Sequence, residues 1–183
     1  MLIPSKKQCY QLIQEMKMLD HIVAHSFRVS QVATFLVDNM NARQLGLSRN
    51  LVEAASLLHD ITKTRSFKTK ENHARTGCEF LAGIGYPEVG NIVGQHVRLD
   101  DHCAAGVPVE AEVVNYADKR VLHDKVVPLK ERMLYVLNNY GRLPEFRHRI
   151  HRLWEETERL EERLFGYLPF LPEELDRQLG YQP

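Results

Sequence analysis

Apolar residues recur along most of this chain at spacings of three and four, and that period limits what it can fold into. Ile22, Val29, Val32, Ala33, Leu36 and Met40 line one side of a predicted helix over 20–43. Ile150, Leu153, Trp154, Thr157, Leu160 and Leu164 do the same over 144–165. Ser5 and Gln8 make a capping-box pattern that opens a first helix running to about 19. Asn50 and Glu53 are placed to cap a buried helix ending near 61. Further helices are expected over 71–84, 88–98 and 109–124, and from Pro128, as a first-turn residue, to about 139. The polar and basic run TKTRSFKTK, 62–70, is expected as a loop, and RLDDHCAAGVP is the longest loop candidate. Period-two runs such as VEAEVV have no hairpin turn chemistry beside them, so the expected fold class is all-α.

At 183 residues the chain suits one domain with a sizeable core. Lys+Arg 24 balances Asp+Glu 24, which argues against broad nucleic-acid or membrane-surface binding. Cys9, Cys78 and Cys103 are widely spaced and form no C-x-x-C pair, as expected of a reducing compartment. MLIPSKKQ has no apolar leader region, and no apolar run nears the roughly 18 residues of a membrane span. A cytoplasmic location is expected.

The stretch EAASLLHDITKT, 53–64, breaks the pattern. Ala54, Ala55, Leu57 and Leu58 lead a buried helix straight into His59 and Asp60. Burying an imidazole and a carboxylate costs roughly several kcal/mol unless their charge is compensated. The same fault recurs elsewhere. His25 shares a face with Val29, Val32 and Leu36, and His73 leads Gly77, Phe80, Leu81 and Ile84. His96 follows Val89, Ile92 and Val93, and Asp118 lies among Ala111, Val114, Val121 and Leu122. A single histidine on an apolar stripe is ordinarily a hydrogen-bonded core residue, but five helices sharing the fault call for a common cause. A shared cation pairs the carboxylates and uses the imidazole lone pairs. Four imidazoles, two carboxylates and no thiolate suit iron, manganese, cobalt, nickel or zinc. Adjacent helical residues point about 100° apart, so His59 and Asp60 can converge only near a helix end. His25, His59, Asp60 and Asp118 would complete one centre, and His73 and His96 would hold a second that Asp60 bridges.

The order His25, His59-Asp60, Asp118 resembles that of the HD superfamily of metal-dependent phosphohydrolases. The segments HSFRVSQVA, LLHDITK, HARTGCEFL, IVGQH and VVNYADK extend the likeness over roughly 20–125. The HDIG-type subset is the nearest in pattern, with Thr62 where that pattern has glycine. In members with the extra histidines, such as the symmetrical diadenosine tetraphosphate hydrolases, two metals are held, which implies second-metal roles for His73 and His96. The resemblance implies an HD-domain helical bundle over 1–127 with a C-terminal helical extension, 128–183, packed on the same domain.

The implied activity is hydrolysis of a phosphomonoester, phosphodiester or phosphoanhydride, in a nucleotide-like small molecule, with metal-activated water. Asp60, Lys63 and Asp118 are then the catalytic candidates, and Lys63, Arg28, Arg98 and Lys119 the substrate-binding ones. Lys63 matches an HDxxK pattern, and Asp101 and His102 would line the entrance. Two other readings use the same ligands: a mixed-valent di-iron HD oxygenase, and a metal-holding sensor that binds a nucleotide without turnover. A homo-oligomer is compatible with the charged last helix. Gly85-Tyr86-Pro87 precedes His96 and lacks the His-His-Glu element of the HD-GYP group, so it reads as a helix stop. His123-Asp124 reads as a solvated helix end, His21 as surface, and His148 and His151 as a basic solvated face.

Overall fold

The computed structural model describes residues 1–100 and 106–180. Helices dominate it. α1 (Lys6–Glu15) opens on the Ser5–Gln8 capping box and stops four residues short of the expected end, where Lys17 takes a left-handed backbone (φ 49°). α2 (Asp20–Asn41) buries Ile22, Val29, Val32, Ala33, Leu36, Val37 and Met40 against α3 (Arg49–Leu58) and α7 (Glu110–Lys119). α3 is apolar on nearly every side because it lies between α1, α2, α6 and α7. Its N-cap is Ser48 rather than Asn50, and Glu53 turns instead to Lys6, 3.2 Å away.

Four expectations fail here. The loop expected over 62–70 contains α4 (Lys63–Thr69), which buries no residue and so leaves no apolar period to read. It ends at Lys70 in the left-handed region (φ 60°). The helix expected over 109–124 stops at Lys119 and gives way to a two-stranded antiparallel ribbon, β1 (Val121–Leu122) and β2 (Lys125–Val126). His123 and Asp124 make its turn, with His123 at φ 57°, so they do not form a solvated helix end. Histidine enters that region more readily than most residues but lacks the Gly or Asn signature of a hairpin turn. Pro128 is the N-cap of α8 (Leu129–Tyr140), not its first helical residue.

α5 (His73–Gly83) and α6 (Pro87–Gly94) form a tight helical hairpin. Gly85 at φ 93° turns the chain and Pro87 starts α6, as the helix-stop reading requires. Gly90 makes the close approach possible, since a Cβ there would sit 2.7 Å from the Cys78 carbonyl oxygen. α9 (Pro144–Phe165) packs on α7 and α8. A short 3-10 turn (Pro172–Glu174) and α10 (Leu175–Gly180) follow. Leu160, Leu164, Phe165, Leu168, Phe170 and Leu175 join the same continuous core as α2 and α3. Among the described residues no helix is long and apolar enough to cross a membrane.

Gly90→Ala should lower stability by about 1–3 kcal/mol through backbone overpacking. Gly83→Ala, with nothing within 4 Å of the added carbon, should leave the chemical denaturation midpoint unchanged or raise it.

Candidate metal centre

Helix ends bring the ionisable groups together. His59 is the C-cap residue of α3, and Asp60 follows it in a turn, where the chain's change of direction lets both side chains face one point. His25 lies on the buried face of α2, and His73 is the first residue of α5. His96 lies just beyond α6, and Asp118 sits one residue before the end of α7. His59 is 0%, Asp60 1% and His96 2% exposed, so water cannot solvate their charge.

Ring nitrogens and carboxylate oxygens crowd together, and of these contacts the His73–His96 pair can close as a hydrogen bond. His73 Nε2 lies 3.3 Å and His96 Nε2 3.5 Å from Asp60 Oδ1, and the two nitrogens are 3.2 Å apart. His59 Nε2 is 3.4 Å from Asp60 Oδ2 and 3.7 Å from Asp118 Oδ1. His25 Nε2 is 3.0 Å from Asp118 Oδ1. Three of these rings have their tautomer fixed from behind. Nδ1–H of His25 donates to the His123 carbonyl (2.8 Å), that of His59 to Ser56 (2.7 Å) and that of His96 to Val93 (2.7 Å). A carbonyl only accepts, so the proton of each neutral ring stays on Nδ1 and Nε2 presents a lone pair.

His59 Nε2 and Asp60 Oδ1 are buried without a hydrogen-bond partner. Leaving such atoms unmet costs roughly 1–3 kcal/mol each, and a cation among them removes that cost. His25, His59 and Asp60 offer ligand atoms within 4.8 Å of one another, as do Asp60, His73 and His96. This nitrogen and oxygen donor set fits a divalent transition metal.

Both carboxylates stay ionised in this cluster. Burial raises the carboxyl pKa of both aspartates, but His59 facing Asp60 and His25 facing Asp118 outweigh it and hold each well below the usual range. Burial also opposes a charged His59, yet Asp60 and Asp118 together raise its pKa. His73 is lowered to about 4, chiefly by burial with Asp60 pulling the other way, so its ring is neutral at pH 7.

Other sequence candidates are placed less uniformly. Lys63 Nζ lies 2.6 Å from Asp60 Oδ2 with about a third of its side chain exposed, so it reaches both the carboxylate and the cleft. Arg28 Nε donates to the Asp124 carbonyl at 2.9 Å, fastening the ribbon turn to α2. Lys119 is buried and turned inward, donating to the carbonyls of His96 (2.7 Å) and Asn115 (3.2 Å). Arg98 is exposed and lines a separate cavity of about 430 Å³ with Asn115, Arg159 and Arg163. Asp101 and His102 lie outside the described residues. His21, His148 and His151 are exposed.

Asn115, missed from sequence, and Thr62, noted there as a departure from the glycine of the pattern, both bond backbone carbonyls. Asn115 Nδ2 donates to the carbonyls of Gln95 (2.8 Å) and His96 (3.0 Å), so α7 clamps the end of α6 from which His96 projects. Its signal was a polar residue inside the apolar run VVNYA. Thr62, in place of glycine, donates to the His73 carbonyl at 2.8 Å and sits 2.9 Å from Thr76 Oγ1, tying the ligand turn to the start of α5.

Because His73 binds its proton less readily folded than unfolded, its contribution to stability is complete above its usual pKa of 6.5 and fades toward about 4. Metal-free protein should therefore melt at lower temperature as pH falls through that interval. His73→Gln should flatten this part of a pH-dependent melting series; an unchanged slope would contradict a buried neutral ring.

The HD domain family model matches residues 22–121, more than half of the chain and a span that includes all six residues of the cluster. The tRNA (cytidine(56)-2'-O)-methyltransferase of Picrophilus torridus is 29% identical over 144 residues, covering 72% of this chain and 40% of that protein. The protein of the same name from Thermoplasma volcanium is 27% identical over 152 residues, covering 76% and 42%. This chain spans about two fifths of the length of these curated relatives. No solved structure matches it. On the family match, and with the histidines and aspartates in that family's order, the chain belongs to the HD domain family.

Proposed function

We propose that this chain is a metal-dependent phosphohydrolase that cleaves a phosphate ester or anhydride of a nucleotide-like substrate. The observation that carries the reading is the pair of buried, unpartnered atoms His59 Nε2 and Asp60 Oδ1 among four imidazoles and two carboxylates, with the Lys63 ammonium at the open edge. His25, His59, Asp60 and Asp118 would hold one divalent ion and His73 and His96 a second, with Asp60 between them. Bound there, the ions supply Lewis acidity that makes an attacking water more acidic and offsets charge at phosphorus.

The chain's own groups do the positioning. Asp60, held in its turn by Lys63, orients the site from the buried side. Asp118, ionised beside His25, would serve as a ligand, and an acidic neighbour would take the proton of the attacking water. Lys63 offers a point charge to a phosphate oxygen. Lys119 supports this as a positioning residue, because its amino group is committed to the His96 and Asn115 carbonyls.

The relatives' name refers to methyl transfer on tRNA, and some three fifths of each relative lies outside the match. It therefore adds RNA phosphates to the substrate classes worth testing and does not decide the reaction. An HD oxygenase would use the same ligands, but hydrolysis that proceeds under strict anoxia is expected here.

His59→Ala and Asp60→Ala should each lose bound metal by elemental analysis. Each should also lose at least about a hundredfold in turnover against a panel of nucleotides, dinucleoside polyphosphates, RNA ends and simple phosphoesters. A variant keeping both its metal and its turnover would refute the assignment.

A further inference from the structure

Arg132, on α8, is a cation that the site as described leaves unused. It is half-buried, and its Nε is buried without a hydrogen-bond partner. Among the described residues its guanidinium makes no ion pair and no side-chain hydrogen bond; its one directional contact is with the Tyr135 ring, 5.9 Å from Cζ to centroid. A buried arginine is ordinarily matched by a carboxylate, because burying a charge alone is costly.

Its surroundings point to what replaces that carboxylate. The Tyr135 ring packs edge-on against the His123 ring at 5.5 Å, and the His123 carbonyl holds His25 Nδ1. Arg132 is thus linked through two aromatic contacts and one backbone hydrogen bond to His25. Its charge also opposes the ammonium groups of Lys63 on α4 and Lys119 on α7. Lys63 is matched by Asp60, Lys119 by two carbonyls, and Arg28 Nε by the Asp124 carbonyl, whereas Arg132 has no such match.

We propose that Arg132 is a substrate-binding residue whose guanidinium receives a phosphate group beside the metal-ligand cluster, with Tyr135 supporting it. The proposal rests on the phosphohydrolase reading and adds to it a residue from outside the family-matched segment. A guanidinium fork presents two parallel donors and favours a phosphate with two free oxygens on one face.

The test is calorimetric titration of inorganic phosphate into metal-loaded wild type, Arg132→Gln and Arg132→Lys, with metal content and melting temperature measured for each. Arg132→Gln should keep its metal and hold or raise its melting temperature, since a half-buried cation with an unpartnered Nε has been removed. Its phosphate affinity should fall on the order of ten- to a hundredfold, with Arg132→Lys between the two. Equal phosphate affinity in wild type and Arg132→Gln overturns the role of Arg132 and leaves the hydrolase reading standing. Wild type that neither binds phosphate nor hydrolyses any ester removes the reading and Arg132 with it. Should the glutamine variant not fold, undiminished phosphate affinity in Arg132→Lys overturns the assignment equally.

Discussion

Asp60 carries a negative charge where water does not reach it, and much of this fold serves to keep that charge in place. The carboxylate follows the buried end of α3, where the adjacent His59 is its nearest partner in sequence. The other partners come from α2, α4, α5 and the end of α6, segments that the core must bring within a few ångströms. Packing thus serves electrostatics here. The Gly90 contact that lets α6 close on α5 is also what brings His96 up to His73.

The backbone governs the imidazoles as firmly as the packing does. Three of the four rings are held by carbonyls, each from a different local structure. Ser56 lies in the last turn of α3, Val93 in the last turn of α6, and His123 in the turn of the two-stranded ribbon. Helix C-terminal carbonyls lack intrahelical partners, so a histidine at a helix end finds an acceptor three residues back at no cost to the helix. The ribbon solves the same problem for His25, which lies mid-helix and must borrow its acceptor from elsewhere.

This division explains what could be read from sequence. The ligand types and their order were visible because each interrupts an apolar stripe, and a stripe is periodic. The Ser5–Gln8 cap and the stop at Gly85–Pro87 were visible because their chemistry is local. α4 was not visible, since a helix that buries nothing carries no apolar period. The ribbon was hidden because His123 adopts a left-handed turn without glycine or asparagine. Lys119 looked like a substrate ligand because its position in ADK shows charge and not direction; only the fold turns its amino group inward. Arg132 could not be singled out, since its significance is a counter-charge missing in three dimensions.

Tyr116 and Arg120, both on the α7 side of the core, reach out of the family-matched segment. Tyr116 Oη donates to Glu161 Oε2 at 2.5 Å, and Arg120 Nη1 donates to Tyr116 Oη. Arg120 also donates to the carbonyls of Val127 (2.8 Å) and Pro172 (2.9 Å), while Arg163 pairs with the buried Glu112. A piece cut at the boundaries by which the family is recognised would leave a phenol, a guanidinium and a carboxylate facing solvent beside bare leucine- and phenylalanine-sized hollows. The stretch that evolution makes recognisable and the stretch that can close its own interior therefore differ in extent, and anyone transplanting this histidine–aspartate core would have to carry its last two helices along.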